Sequence, residues 1–316
     1  MSDSVRIGVS ACLLGESVRH DASHANHVYL VNVLSKQVEL VPLCPEMGCG
    51  MGLPREAVRH VDCAGDLRLI GADSAEDWTE RMNAWCDRVI PDLENDDLCG
   101  FVVKDDSPTC GSVNGPVHST DSTGVKRGVG FFTARLMKRF PLMPVESQAR
   151  LDDPILRENF IRRIFVYKRW LELLAGGKTI GRLVDFHTRH KLLIRAYDLK
   201  GYRELGHLLG ESSMDTVDAV FDAYGARVFK ALSLKSTPKK NSDVLMHAMG
   251  YFKKDLDDGD KRELLGMING CKGGKLPLLV PATLLNHFAR KYERPYLSQQ
   301  YYLNPHPLEL KLLNRV

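Results

Sequence analysis

Three short β-rich runs, at 5–9 (V-R-I-G-V), 38–43 (V-E-L-V-P-L) and 101–103, each lead into a loop that carries a cysteine: Cys12, Cys44 and Cys110. Helical stretches separate them, at 27–36 and 75–93, the latter with Ser74 as a candidate N-cap and Asp77 three residues on. A further helix-like run at 131–140 leads to a strand-like 142–145. Strands alternating with helices predict an α/β domain with a mostly parallel, Rossmann-like (doubly wound) sheet. Ligand sites in such sheets form at the carboxyl edge of the strands. Cysteines far apart in sequence are thereby expected to share one edge.

From about residue 152 the strand signals fade. Apolar residues recur at helical spacing, as at Val217, Val220, Phe221, Tyr224, Val228 and Leu232. Helices are expected over 152–174, 183–197, 217–232, 242–256, 262–268, 282–292 and 308–313. A chain of 316 residues suggests two domains. The expected division is an α/β domain over 1–150, a helical linker over 151–180 and an all-α domain over 181–316. At 44% hydrophobic and 26% charged residues, the composition is that of a soluble globular protein, which excludes a disordered or collagen-like chain. Apolar runs such as 276–280 fall far short of the roughly 18–20 residues that cross a bilayer. The N-terminus enters a strand directly with no visible signal peptide, so a cytoplasmic location is expected.

In such a compartment the eight cysteines are reduced, leaving buried hydrophobes, catalytic thiols or metal ligands. Cys86 lies in a helix, Cys99 enters a strand, Cys63 sits in a turn-like region and Cys271 lies in the far domain; all four read as structural. Cys12, Cys44 and Cys110 remain. Iron–sulfur clusters are normally held by four thiolates, so three would leave one iron open, as a catalytic zinc keeps an open position. Gly15, Gly48, Gly50, Gly52 and Gly111 let backbone approach closely, and Pro45 and Pro108 stiffen two of the loops. Glu46 lies two residues from one cysteine, Ser107 three from another, and Lys104 follows a strand at the same edge. Arg55 and Asp21 read as structural hydrogen-bonding groups. His187 and His190 lie three apart on a helix without cysteine or carboxylate company, which argues against a histidine-based zinc enzyme.

The segments S-A-C-L-L-G at 10–15, C-P-E at 44–46, G-L-P-R at 52–55 and K-D-D-S-P-T-C-G at 104–111 resemble the thiouracil desulfidase family over roughly residues 5–150. The second half is similar to the helical domain often fused behind it. The resemblance implies an oxygen-sensitive [4Fe–4S] cluster on Cys12, Cys44 and Cys110 with one open iron site, and implies that Glu46 and Ser107 act on the substrate. Two departures stand out: Cys49 within the glycine-rich stretch after C-P-E, and Asp106 where lysine is often found before the serine.

A thiocarbonyl sulfur is soft and suits an iron site rich in thiolates. Water activated by Glu46 would add to the C=S carbon, leaving C=O and hydrosulfide. No net electron transfer is needed, so neither reductase nor nicotinamide is required. Two other classes stay open: a non-catalytic zinc RNA-binding protein with Cys12, Cys44, Cys49 and Cys110 as a closed four-cysteine site, and an iron–sulfur redox sensor.

The net charge of +3 conceals an asymmetry: residues 1–165 carry −6 and residues 166–316 carry +9. Cations at Lys235, Lys239, Lys240, Lys272, Lys275, Arg290 and Lys291, with Tyr292, Tyr296, Tyr301 and Tyr302 nearby in sequence, point to RNA docking. The expected partner is tRNA carrying 4-thiouridine, or a thiolated nucleotide. No membrane partner is expected.

Overall fold

The computed structural model describes residues 4–63, 65–112, 115–119, 126–213, 216–307 and 309. Its strands are β1 (Arg6–Ser10), β2 (Glu39–Leu43), β3 (Val58–Cys63), β4 (Asp66–Gly71), β5 (Leu98–Val103), β6 (Gly115–Ser119), β7 (Lys126–Gly128) and β8 (Val145–Ser147). The chain divides into two compact units, Met1–Leu171 and Glu172–Asn314.

The central sheet of the first unit has the order β2-β1-β5-β8, and every pairing in it is parallel. Ser10 lies opposite Leu43, Val9 opposite Val102, and Val103 opposite Ser147. β5 is buried along its whole length. Its sequence is accordingly a continuous apolar run rather than an alternating one. Gly8 is needed where β1 meets β5, because a Cβ there would lie 2.2 Å from a ring carbon of Phe101. The helices of this unit are α1 (Val28–Asn32), α2 (Pro45–Gly48), α3 (Thr79–Asp92), α4 (Phe131–Arg139) and α5 (Pro154–Ala175). α5 packs on β5, with Ile164 and Phe160 directly over Gly100. Phe101, Phe132, Phe160, Ile7 and Leu13 are fully buried. Each contributes about 1.5–3 kcal/mol by leaving water.

The expected α/β class followed by a helical region therefore holds, with local corrections. Ser74 caps no helix: its hydroxyl and amide both bond the Glu56 carboxylate, and α3 begins at Thr79, whose amide donates to Asp77. A second sheet, β4-β3-β6-β7, has no counterpart in the sequence reading. It pairs β3 antiparallel with β4, parallel with β6, and β6 antiparallel with β7. Only His60 is fully buried along β3, so the strand lacks the alternating apolar signal. Cys63, read as a turn residue, ends β3 and is exposed. A further correction is a helix, α7, in the second unit.

That unit contains α6 (Ile180–Tyr197), α7 (Leu199–Gly210), α8 (Val217–Leu232), α9 (Pro238–Met249), α10 (Asp258–Lys272), α11 (Leu279–Lys291) and α12 (Pro295–Ser298). α7 holds Gly201, Gly206 and Gly210. Each weakens helix propensity by about 1 kcal/mol relative to alanine, which hid the helix from sequence patterning. Tyr224, Phe221, Phe252, Leu245 and Leu285 form the apolar centre of this unit. Of the helix expected over 308–313, only residue 309 lies among the described residues. Among the described residues, no helix is long and apolar enough to cross a membrane.

Candidate active site

Each strand of the parallel sheet that ends in a motif delivers its residues differently. β1 stops at Ser10 and passes into a tight 3-10 turn, Ala11–Leu14, that carries Cys12 and closes at Gly15 with φ +91°. β2 stops at Leu43; Cys44 is extended, and Pro45 then sets the first turn of α2, which carries Glu46. α2 lies so close to α3 that a Cβ on Gly48 would stand 2.3 Å from the Trp85 ring. β5 opens into the 104–111 loop, where the Lys104 amide donates to Ser10 Oγ at 3.1 Å.

That last loop is held from three sides. Within it, the Cys110 amide donates to Ser107 Oγ at 3.1 Å and the Gly111 amide to the Ser107 carbonyl at 2.8 Å. The start of α4 meets it, with Phe131 and Phe132 amides donating to the Pro108 and Thr109 carbonyls at 3.1 and 3.0 Å, and Thr133 Oγ1 to the Cys110 carbonyl at 2.6 Å. His60 of β3 bonds the Pro108 carbonyl through Nε2.

These three loops meet around one cavity of about 290 Å³, whose lining includes Cys12, Cys44, Cys110, Glu46, Ser107 and Lys104. The three cysteines expected to share one edge, with Glu46, Ser107 and Lys104, are all in that wall, and Cys49 is not. Glu46 is the hub. Its Oε2 accepts from Cys44 Sγ at 3.3 Å, and its Oε1 from Ser107 Oγ at 3.5 Å and from Thr109 Oγ1. Lys104 turns its Nζ to the Asp105 carbonyl at 2.8 Å. Thr109 is the residue that sequence reading missed. It is fully buried and links Glu46, Ser107 Oγ at 2.9 Å and Cys110 Sγ at 3.7 Å. The available signal was its place inside the 104–111 motif, beside the cysteine.

Arg55 also lines the cavity, and its guanidinium bonds the Val18 and Gly52 carbonyls at 2.9 and 3.0 Å, a structural use as expected. Asp21 accepts from the Ser23 amide at 3.1 Å. Cys49 caps α2 with its thiol toward the Glu46 carbonyl at 3.4 Å, and the cavity lining does not include it.

The thiols suit a soft metal group. Burial, with the Glu46 carboxylate adding to it, pushes Cys44 up to about 12, and moves Cys12 and Cys110 upward as well. Such thiols give up their protons when a cation binds. Among the described residues, no three His, Cys, Asp or Glu side chains converge closely enough to hold a single metal ion.

The cations singled out in the second half stand at separate helix ends. Lys235 and Lys239 are exposed near the start of α9. Lys240 is bound within the fold, its Nζ donating to the Tyr197 carbonyl at 2.7 Å and the Lys235 carbonyl at 2.9 Å. Lys272 and Lys275 lie at or beyond the end of α10, and Arg290 and Lys291 in the last turn of α11. Cations at a helix carboxyl end stabilise it, a role independent of any ligand. The tyrosines pack: Tyr302 is buried and donates to Asn241 Oδ1 at 3.0 Å, Tyr296 stacks on Tyr251 at 5.2 Å, and Tyr301 lies 4.7 Å from the His190 ring. His187 and His190 are buried, bonding the Tyr224 hydroxyl and the Phe186 carbonyl.

Comparison with known proteins places names beside the two units. The family model for 2-thiouracil desulfurase matches residues 7–148. A second model, a protein of unknown function (DUF1722), matches residues 191–307. A curated relative, the uncharacterized protein YbgA of Escherichia coli (strain K12), is 32% identical over 164 residues, covering 52% of this chain and 94% of that protein. Among solved structures, a [4Fe-4S]-dependent thiouracil desulfidase, TudS, is 24% identical at a TM-score of 0.38, covering 48% of this chain and 95% of that one. The chain is therefore a thiouracil desulfidase-like α/β unit followed by a second, helical domain, and it belongs to the family of the relative matched along nearly its whole length.

Proposed function

We propose that this protein removes sulfur from a thiolated uracil, exchanging C=S for C=O and releasing hydrosulfide, at a [4Fe–4S] cluster held by Cys12, Cys44 and Cys110. The observation that carries the proposal is the single cavity in which those three thiols meet Glu46, Ser107 and Lys104. All three thiols line that cavity, which supports a soft metal group held by thiolates there. Cys49 lines no part of it, so the closed four-cysteine alternative lacks its fourth member there.

When bound on three thiolates, the cluster would supply a soft Lewis acid for the thiocarbonyl sulfur. The chain's own residues do the rest. Glu46 takes a proton from the water that adds to the C=S carbon, its carboxylate aimed by the hydroxyls of Thr109 and Ser107. Ser107 can turn its hydroxyl from Glu46 to the base edge or the ring nitrogen. Lys104, whose ammonium bonds the Asp105 carbonyl in the same cavity wall, can offer a further N–H to a uracil carbonyl. Water enters, hydrosulfide leaves, and no electrons are exchanged, so the reaction is a hydrolytic carbon–sulfur cleavage without an electron-transfer partner.

The substrate we favour is 4-thiouridine, in tRNA or as a nucleotide, because the +9 second half can supply phosphate contacts that a free base does not need. Anaerobic iron and acid-labile sulfide analysis tests the cofactor. Four of each per chain in the wild type, and none in Cys12→Ala, Cys44→Ala or Cys110→Ala, is the expected result. A colourless protein with one zinc would overturn it.

A further inference from the structure

The second unit holds a groove, lined by residues of α6, α7 and the turn after it, that shares no residue with the cysteine cavity. It has a volume of about 690 Å³. Gly206 and Gly210, one turn apart on α7, line it, and a Cβ at either would meet no described residue within 4 Å. That part of the helix is bare backbone with room in front of it. Lys191, Arg203 and His207 add positive or donating groups to the wall; Arg203 and His207 are exposed. The acid in the lining is Glu211, whose carboxylate stands 3.6 Å from His207 Nδ1.

His187 is the second, independent observation. It lines the groove yet is only 3% exposed. Its Nδ1 is hydrogen-bonded to the Tyr224 hydroxyl at 3.0 Å, and its Nε2 has no hydrogen-bond partner among the described residues. Buried polar atoms in folded proteins are nearly always paired, so an orphan beside a groove points to a missing partner. Burial lowers the imidazole to about 4, so the ring is neutral at pH 7 and carries one proton. The Tyr224 hydroxyl can donate to Nδ1, which leaves that proton on Nε2 for an acceptor. The cations Lys191 and Arg203 in the same lining call for a ligand with negative charge. Lys191 and Arg203 would repel a metal ion.

We propose that this groove binds a phosphate group, with Lys191 and Arg203 neutralising its charge and His187 Nε2 donating to one of its oxygens. The planar guanidinium suits two phosphate oxygens at once, and the glycine face admits the bulk that follows the phosphate. The proposal stands on the second unit alone and does not depend on the desulfuration reading.

The test uses the full chain and three probes: inorganic phosphate and uridine monophosphate by calorimetry, and a short labelled oligouridylate by fluorescence anisotropy, at about 50 and 200 mM salt. Saturable binding of at least one probe is expected. Lys191→Gln combined with Arg203→Gln should weaken it about tenfold or more. Gly206→Leu should weaken it comparably with no change of charge, and without lowering the melting temperature, since leucine is the better helix former and the space is open. Similar affinity for all three probes assigns a site for a small phosphate. An oligouridylate bound at least about tenfold tighter than the nucleotide, and weakened by salt, assigns the polynucleotide backbone. Failure of all three probes to bind, or binding that Gly206→Leu leaves intact, overturns the proposal. Turnover of free thiouridine should be unchanged in Gly206→Leu, so failure of the groove and failure of the desulfidase reading are read separately.

Discussion

The two units treat their polar side chains in opposite ways. In the first, three loops from strand ends bring thiols, hydroxyls and one carboxylate into hydrogen-bonded contact, and Glu46 alone accepts from Cys44, Ser107 and Thr109. In the second, the cations of the sequence reading stand at separate helix ends, and the packed groups include an orphan, His187 Nε2. The difference is between a site fixed atom by atom and a surface whose charges act independently. Substitutions should therefore matter by orders of magnitude in the first unit and by small, additive steps in the second.

Replacing Cys12, Cys44 or Cys110 by alanine should abolish both iron content and turnover, whereas Cys49→Ala should leave both. Iron analysis and a thiouridine assay decide it, and an iron-free Cys49→Ala would break the ligand set. Glu46→Gln should keep the cluster colour and lower kcat by about 10²–10⁴-fold, the usual worth of a general base. Near-normal turnover would remove Glu46 from that role. Thr109→Val removes only one hydroxyl from the carboxylate. A loss of about tenfold in kcat with little change in KM is expected, the equivalent of one hydrogen bond to a charged group. Ser107→Ala should also be milder than Glu46→Gln, because water can replace its hydroxyl.

Gly8→Ala tests the frame rather than the chemistry. Its methyl would collide with Phe101, so thermal unfolding should show a loss of about 1–3 kcal/mol, typical of overpacking. The smallest effects belong to the second unit. If Lys235 and Lys239 contact phosphate, neutralising each should lower the salt slope of RNA binding by about one. Lys240→Gln should instead cost stability, because its ammonium holds the carbonyls of Tyr197 and Lys235. A salt slope that Lys235 and Lys239 leave untouched would return those charges to a purely structural role.

The same contrast explains what the sequence made legible. Cys12, Cys44 and Cys110 were readable because each lies just beyond a strand of one parallel sheet, where the fold rule itself converges them, whereas Glu46 and Ser107 were readable through the resemblance of the motifs that carry them. Thr109 sits inside a recognised motif, but its partner lies on α2, 63 residues away, and no local pattern encodes that bond. The second sheet escaped because β3 mixes polar and apolar residues and buries only His60, which leaves no alternating apolar face. α7 escaped because its glycines, which open the groove, are poor helix formers. The groove itself joins Lys191 and Arg203 from two helices, and neither stands in a motif.

The most direct measurement of the central claim is the stoichiometry of the reaction. Iron-loaded protein is incubated anaerobically with 4-thiouridine and no reductant, and uridine and hydrosulfide are counted together. Repeated turnover is expected, with one hydrosulfide released per uridine formed. Iron-loaded protein that leaves thiouridine intact, or that forms uridine only when an electron donor is added, would contradict it.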